Sequence, residues 1–157
     1  MNIQFWTIGK VHELYVSDGI NDFTKRLNNY FNTSWKIIPS SKYASSLSEP
    51  DLKKKEAEAV FAALAPTDYL VALDERGKML SSSQLSTFLQ QRTNESVRNI
   101  VFLIGGAYGI DESLLQRANF RWSLSPLTFP HQLVRLILSE QIYRACTIMR
   151  NEKYHHG

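Results

Sequence analysis

Cysteine is almost absent: Cys146 is the single one in 157 residues. No disulfide can therefore form within the chain, which excludes the cross-linked scaffolds of small secreted proteins. Cys146 falls inside a helical apolar pattern with no activating partner near it in sequence, and reads as a buried thiol. Long hydrophobic runs are missing too, since none approaches the roughly 20 residues that a membrane-crossing helix needs. The first ten residues, MNIQFWTIGK, lack the basic flank, apolar stretch and small-residue cleavage site of an export signal. A cytoplasmic address without membrane contact is expected. Charge of one sign is also scarce. Eighteen Lys and Arg against fifteen Asp and Glu leave +3, which permits a nucleic-acid partner without demanding one. No repeat at a period of roughly 20 to 50 residues is present, which excludes a solenoid.

What remains is the composition of an ordinary globular chain, long enough to bury one core, and a single domain over residues 1–157 is expected. Asn2 to Ile8 alternate β-branched and aromatic types before Gly9 and predict a strand. Val16, Ile20, Phe23, Leu27 and Tyr30 recur at spacings of three and four and predict a helix over about residues 16–30. Trp35 to Ile38 reads as a second strand ended by Pro39, and the serine-rich Ser40 to Ser48 as an exposed, mobile loop. Ser48 is placed to cap the next helix, with Pro50 in its first turn, and Lys53-Lys54-Lys55 as a solvated face. Tyr69 to Leu73 and Ile100 to Ile104 are continuous apolar runs suited to strands covered on both faces. Between them lie an expected turn at Asp74 to Lys78 and a serine-capped helix carrying Leu85, Phe88 and Leu89. A short helix from Asp111 to Ala118, a strand from Phe120 to Ser123 and a helix from about Pro130 to Met149 complete the pattern. Buried strands alternating with helices predict an α/β fold, with a mostly parallel sheet and helices on both faces. Ligands of such sheets sit beyond the carboxyl ends of strands, which directs attention to the residues after Leu73, Ile104 and Ser123.

Two loops there can carry chemistry. Gly105-Gly106-Ala107-Tyr108-Gly109 lets backbone approach a ligand, yet it fits neither the dinucleotide fingerprint nor a P-loop, and it also reads as a plain strand-to-helix turn. Leu124-Ser125-Pro126-Leu127-Thr128-Phe129 is apolar and broken by proline, and offers a dry wall with free backbone groups for an adenine edge. It reads equally as a connection in which Thr128 caps the last helix. Along that helix His131 and Arg135 share one face and Glu140 and Arg144 another. Glu140 with Arg144 has the bland account of an exposed ion pair, and the Tyr154 to Gly157 ending that of a frayed tail. His155-His156 lacks the i, i+4 spacing of helical metal ligands, and no metal is expected.

LDERGK (Leu73 to Lys78), FLIGGAYG (Phe102 to Gly109), SLSPLTFPHQLVRLILSEQIYRA (Ser123 to Ala145) and the closing Tyr154-His155 together resemble the RlmH family of SPOUT-type RNA methyltransferases. The resemblance spans essentially the whole chain. It implies a carboxy-terminal trefoil knot, an obligate homodimer and S-adenosyl-L-methionine bound in the knot, with contacts at Leu73, Gly105 and the Leu124 to Phe129 loop. It implies methylation of N3 of a pseudouridine in the RNA of the large ribosomal subunit or the assembled ribosome. In-line transfer needs two reactants held in register and loss of the N3 proton. Glu140, Arg144 and His155 suit that proton chemistry and Tyr154 suits stacking on the base, so these four are the expected catalytic residues. His131 and Arg135 are expected to meet RNA. Competing expectations are a SPOUT enzyme acting on transfer RNA or on a ribose hydroxyl, a ribosome-binding factor that has lost transfer, and a generic nucleotide-binding protein.

Overall fold

The computed structural model of the protein describes residues 1–40, 42 and 44–157. Five strands, β1 (Asn2–Ile8), β2 (Asn32–Ile38), β3 (Tyr69–Met79), β4 (Asn99–Ile104) and β5 (Phe120–Ser123), form one sheet in the order β2-β1-β4-β3-β5. Every neighbouring pair runs parallel. Parallel strands need crossovers, and α1 (Leu14–Leu27), α2 (Glu49–Ala63), α3 (Ser82–Asn94), α4 (Glu112–Arg117) and α5 (His131–Met149) flank the sheet.

The alternation of strand side chains divides the core in two. Ile3 and Phe5 of β1, with Ile100 and Phe102 of β4, pack under Leu85 and Leu89 of α3 and Leu138 and Ile142 of α5. Trp6 and Ile8, with Val101 and Leu103, pack on the opposite face against Ala57 and Val60 of α2 and Leu114 and Leu115 of α4. Five of the six residues of β4 are buried, as a central strand covered on both sides requires. Ser48 Oγ accepts from the Asp51 N–H at 3.3 Å, and Ser81 and Gln84 close a reciprocal capping box.

Several boundaries differ from expectation, each for a nonlocal or side-chain reason. α1 ends at Leu27 rather than Tyr30, because Asn28 turns the chain: its Oδ1 accepts from the Thr33 N–H at 2.9 Å and its Nδ2 donates to the Thr24 carbonyl at 2.9 Å. Of the loop from Ser40 to Ser48, Ser41 and Tyr43 lie outside the described residues, and Ala44–Ser46 form a 3-10 turn. The expected turn at Asp74 to Lys78 is instead part of β3, bulged so that Leu73 and Lys78 both pair with Trp122. Gly77 permits this: a Cβ there would meet the Arg121 carbonyl carbon and oxygen at 2.7 Å. Thr128 does not cap α5, which starts after Pro130 without a side-chain cap.

Candidate active site

The bulge after Leu73 in β3 lies level with the ends of β4 and β5, so the residues that follow Leu73, Ile104 and Ser123 meet at the carboxyl end of the sheet. They enclose a cavity of about 200 Å³ lined by Leu73, Gly105, Leu124, Ser125, Leu127, Thr128 and Phe129, together with Ile104, Gly106, Gly109, Trp122 and Val134. Of the residues expected to hold a cofactor, Pro126 alone does not line it. The loop is shaped by its serines: Ser123 Oγ donates to the Ser125 carbonyl at 3.1 Å and Ser125 Oγ accepts from the Leu127 N–H at 3.0 Å. Beyond Leu73, Asp74, Glu75 and Gly109, which border both spaces, lies a more polar cleft of about 580 Å³ with Lys53, Arg76 and Tyr108 on its walls.

Two wall features escaped sequence reasoning. Trp122 lines the cavity, and its Nε1 is buried without a hydrogen-bond partner. Gly106 is pressed by Glu56 of α2, whose carboxylate oxygens stand 2.5 and 2.8 Å from where a Cβ would be. Burial pushes the Glu56 carboxyl above its ordinary value, against the opposing pull of Lys53. Only a long-range contact reveals either, and a glycine pair after a strand was the sole sequence hint.

The four residues expected to be catalytic do come together, lower on α5. Arg144 Nε donates to Glu140 Oε1 at 3.0 Å, the Tyr154 hydroxyl donates to the same oxygen at 3.1 Å, and Arg144 Nη1 donates to His155 Nδ1 at 3.3 Å. The guanidinium lies 4.7 Å from the centre of the Tyr154 ring. Gln141 Nε2 donates to the other Glu140 oxygen at 2.7 Å. Burial, then the adjacent Glu140 carboxylate, raises the Tyr154 phenol above its ordinary value. The Glu140 and Arg144 side chains are only 19% and 26% exposed, so this is not the open surface pair of the bland account. The chain end is docked, with Glu152 accepting from the Tyr30 hydroxyl at 2.6 Å. None of the four lines the cavity of its own chain, and Glu140 follows His131 by a helix rise of about 13 Å.

His131 and Arg135 stand elsewhere. Arg135 has no exposed surface; its guanidinium donates to the Lys10 carbonyl at 2.9 Å, His12 Nδ1 at 3.2 Å and His131 Nδ1 at 3.5 Å. The expectation that Arg135 meets RNA does not fit this burial, because every direction around its charge is filled by protein. His131 Nε2 donates to the Gly105 carbonyl. Among the described residues no group of three or more His, Cys, Asp or Glu is placed to hold a metal ion, and no helix is long and apolar enough to cross a membrane.

With a strand-end cavity, a docked tail and an all-parallel sheet established, likeness to known proteins decides the family. The family model for predicted SPOUT methyltransferases matches residues 1–155. The chain belongs to the SPOUT methyltransferase family. Within that family it is 46% identical to "Ribosomal RNA large subunit methyltransferase H" of Flavobacterium johnsoniae, over 99% of both chains. It is 43% identical to the protein of the same name from Cytophaga hutchinsonii, over 99% of this chain and 100% of that one. The SPOUT chain also resembles the solved structure of a probable methylase family protein from Haemophilus influenzae Rd KW20. That likeness has a TM-score of 0.53 at 13% identity, over 99% of this chain and 71% of the other, and speaks to fold alone.

Proposed function

We propose that the protein is an S-adenosyl-L-methionine-dependent methyltransferase of large-subunit 23S ribosomal RNA, acting on N3 of a pseudouridine, as a cytoplasmic homodimer of single-domain chains with a trefoil knot. End-to-end similarity to relatives named for large-subunit RNA methylation supports the substrate class. The carrying observation is the separation, within one chain, of a strand-end cavity from a finished polar cluster at Glu140, Arg144, Tyr154 and His155. Each chain thus holds two half-sites, and a second copy brings the tail of one over the cavity of the other. Val11, Leu14 and Tyr15 beside the start of α1 are exposed apolar side chains, Leu14 at 92%, and suit the joining face. α5 packs on both α1 and α3 after leaving the edge strand β5, a return path compatible with threading.

The cavity fits the cofactor chemically. Leu124, Leu127, Phe129 and Val134 provide apolar walls for an adenine ring, with Trp122 beside them carrying a buried Nε1 that has no partner within the chain. When bound, S-adenosyl-L-methionine supplies an electrophilic methyl group on sulfur. The chain's own residues do the rest. Leu73, Gly105 and the 124–129 loop orient the donor. Tyr154 stacks on the base, Glu140 or His155 takes the N3 proton, and Arg144 steadies the negative charge this leaves on the base. Held by Leu73, Gly105 and the 124–129 loop, the cofactor would supply its methyl group to N3 once the proton there is taken. A dimer carries twice the +3 of one chain, which aids approach to phosphates in a salt-sensitive way. So small a protein has little surface for reading sequence, and an assembled subunit or ribosome is the expected substrate rather than a free fragment.

Incubation with labelled cofactor and intact ribosomes, followed by nucleoside mass spectrometry, tests this. Label in 3-methylpseudouridine is the expected result. Label in a ribose or in transfer RNA, or no label from an active preparation, overturns it.

A further inference from the structure

Arg135 is the largest fully buried side chain of the protein, and the chemistry described so far leaves it without a task. Its surroundings suggest one. It sits between three segments: the β1–α1 connection, through the Lys10 carbonyl and His12; its own helix, through His131; and, by way of His131, the glycine loop after β4. Gln132, next to His131, extends the same tie, accepting from the Glu13 N–H at 2.9 Å and donating to the Val11 carbonyl at 3.3 Å.

The donors and acceptors permit one arrangement. A carbonyl only accepts, so His131 must carry its proton on Nε2 to bond Gly105. A guanidinium only donates, so His131 Nδ1 must keep its lone pair toward Arg135. Both bonds exist together only for the neutral Nε2–H tautomer. A second proton on Nδ1 would face the Arg135 N–H across 3.5 Å and break the chain of contacts.

We infer that His131 and Arg135 are positioning residues that brace the Gly105 carbonyl, and with it the glycine wall of the cavity, and that the link anchoring His131 to Arg135 holds only while His131 is neutral. The inference rests on the proposed cofactor site only for its functional consequence; the brace itself is a property of the empty protein. Burial holds both His131 and His12 below their ordinary value; the Gly105 bond opposes this at His131, and the Arg135 charge lowers both further. The Arg135–His131 link is therefore intact at neutral pH and lost in acid, leaving His131 held to Gly105 but no longer anchored through Arg135. Other ionisable groups face the same region: His12 and Glu13 from the β1–α1 connection, Arg135 from α5, and Glu56 from behind Gly106. A pH effect alone would not single out His131, so the test substitutes it.

Glutamine has an amide oxygen to accept from Arg135 and an amide N–H to donate to Gly105, and it does not titrate; leucine offers neither. Hydrogen exchange of the Gly105 to Gly109 amides is followed from pH 7.5 to 5.0 in the full chain without ligand, for wild type, His131→Gln, His131→Leu and Arg135→Lys. Affinity for S-adenosylhomocysteine is measured by calorimetry on the same proteins. The inference expects wild type to lose loop protection and affinity as pH falls through the His131 transition, by less than the roughly tenfold per pH unit of a fully proton-linked site. His131→Gln should keep both nearly constant, while His131→Leu and Arg135→Lys should be loose at every pH. If Arg135→Lys does not fold, the glutamine and leucine variants still decide. Wild type and His131→Gln with the same acid response would overturn the brace and point to Glu56 or His12. Failure of wild type to bind S-adenosylhomocysteine at pH 7.5 would overturn the proposed function, leaving the brace to be judged by exchange in the same samples.

Discussion

The two ends of α5 carry the same pattern in sequence and opposite structures. His131 and Arg135 are spaced as Glu140 and Arg144 are, with a basic residue four positions after a polar one. The first pair is enclosed by Lys10, His12 and Gly105, and the second is left partly open and joined by the chain end. An arginine whose every contact is internal can shape the protein but cannot touch a substrate. The other keeps a face toward solvent and can do both. Helical spacing says which residues are neighbours, and the elements packed on the helix say what they are for.

The sharpest way to break this contrast is removal of the tail. Deletion of Tyr154 to Gly157 should abolish methyl transfer to ribosomes, a loss above about 100-fold for a group needed in the transition state. Affinity for S-adenosylhomocysteine should stay within about twofold, since no tail residue lines the cavity. Undiminished turnover would remove the tail from the site. Next in size is Arg135→Met. It removes the donor to the part-buried Lys10 carbonyl and His12 nitrogen and sets an uncharged side chain in a fully enclosed polar site, and should cost about 1–3 kcal/mol in urea denaturation. Arg144→Met should cost less than Arg135→Met by the same measurement, because its pair keeps some contact with solvent, yet it should lose transfer. Equal stability losses for the two arginines would erase the distinction.

A third test addresses the cavity wall. Gly106→Ala sets a methyl against the Glu56 carboxylate, the far end of a flexible side chain that can swing aside, and should cost below about 1 kcal/mol. Glu56→Ala in the same chain should recover most of this, and a double-mutant cycle showing no coupling would refute the contact. The smallest effect concerns acid. His12 and His131 both sit below the ordinary 6.5, burial being the main cause. Between 6.5 and those lower values the unfolded chain takes up protons that the folded chain refuses. The contribution of these imidazoles is therefore complete above about pH 6.5 and declines as pH falls, by at most about 1.4 kcal/mol per unit for each histidine. Denaturation at pH 7.5 and 5.5 should show a smaller decline in His131→Gln than in wild type.

Much of the fold was legible because its information is local. The apolar runs of β1 and β4, the serine caps of α2 and α3 and the periodicity of α1 each state their structure within a few residues. The glycine loop and the Leu124 to Phe129 loop were found for the same reason, since glycine and proline mark where backbone is irregular. Failures were nonlocal. Nothing in Asp74 to Lys78 announces that β5 will lie against Gly77 and draw an apparent turn into a bulged strand. Arg135 looks like a surface cation until Lys10 and His12 close over it, 125 and 123 positions earlier. Trp122 lies within a strand expected from sequence, but only the folded protein shows that its N–H lacks a partner.

The strand order has a consequence for how the protein is born. β4 is inserted between β1 and β3, and Asn2 pairs with Asn99. Until that fourth strand has been synthesised, β1 has a partner on one side only and β3 has none from earlier in the chain. Nascent chains ending before Asn99 should therefore expose adhesive strand edges and accumulate as aggregates, while those reaching the end of α5 remain in solution. A sheet whose central strand is the fourth of five to be made commits to folding late.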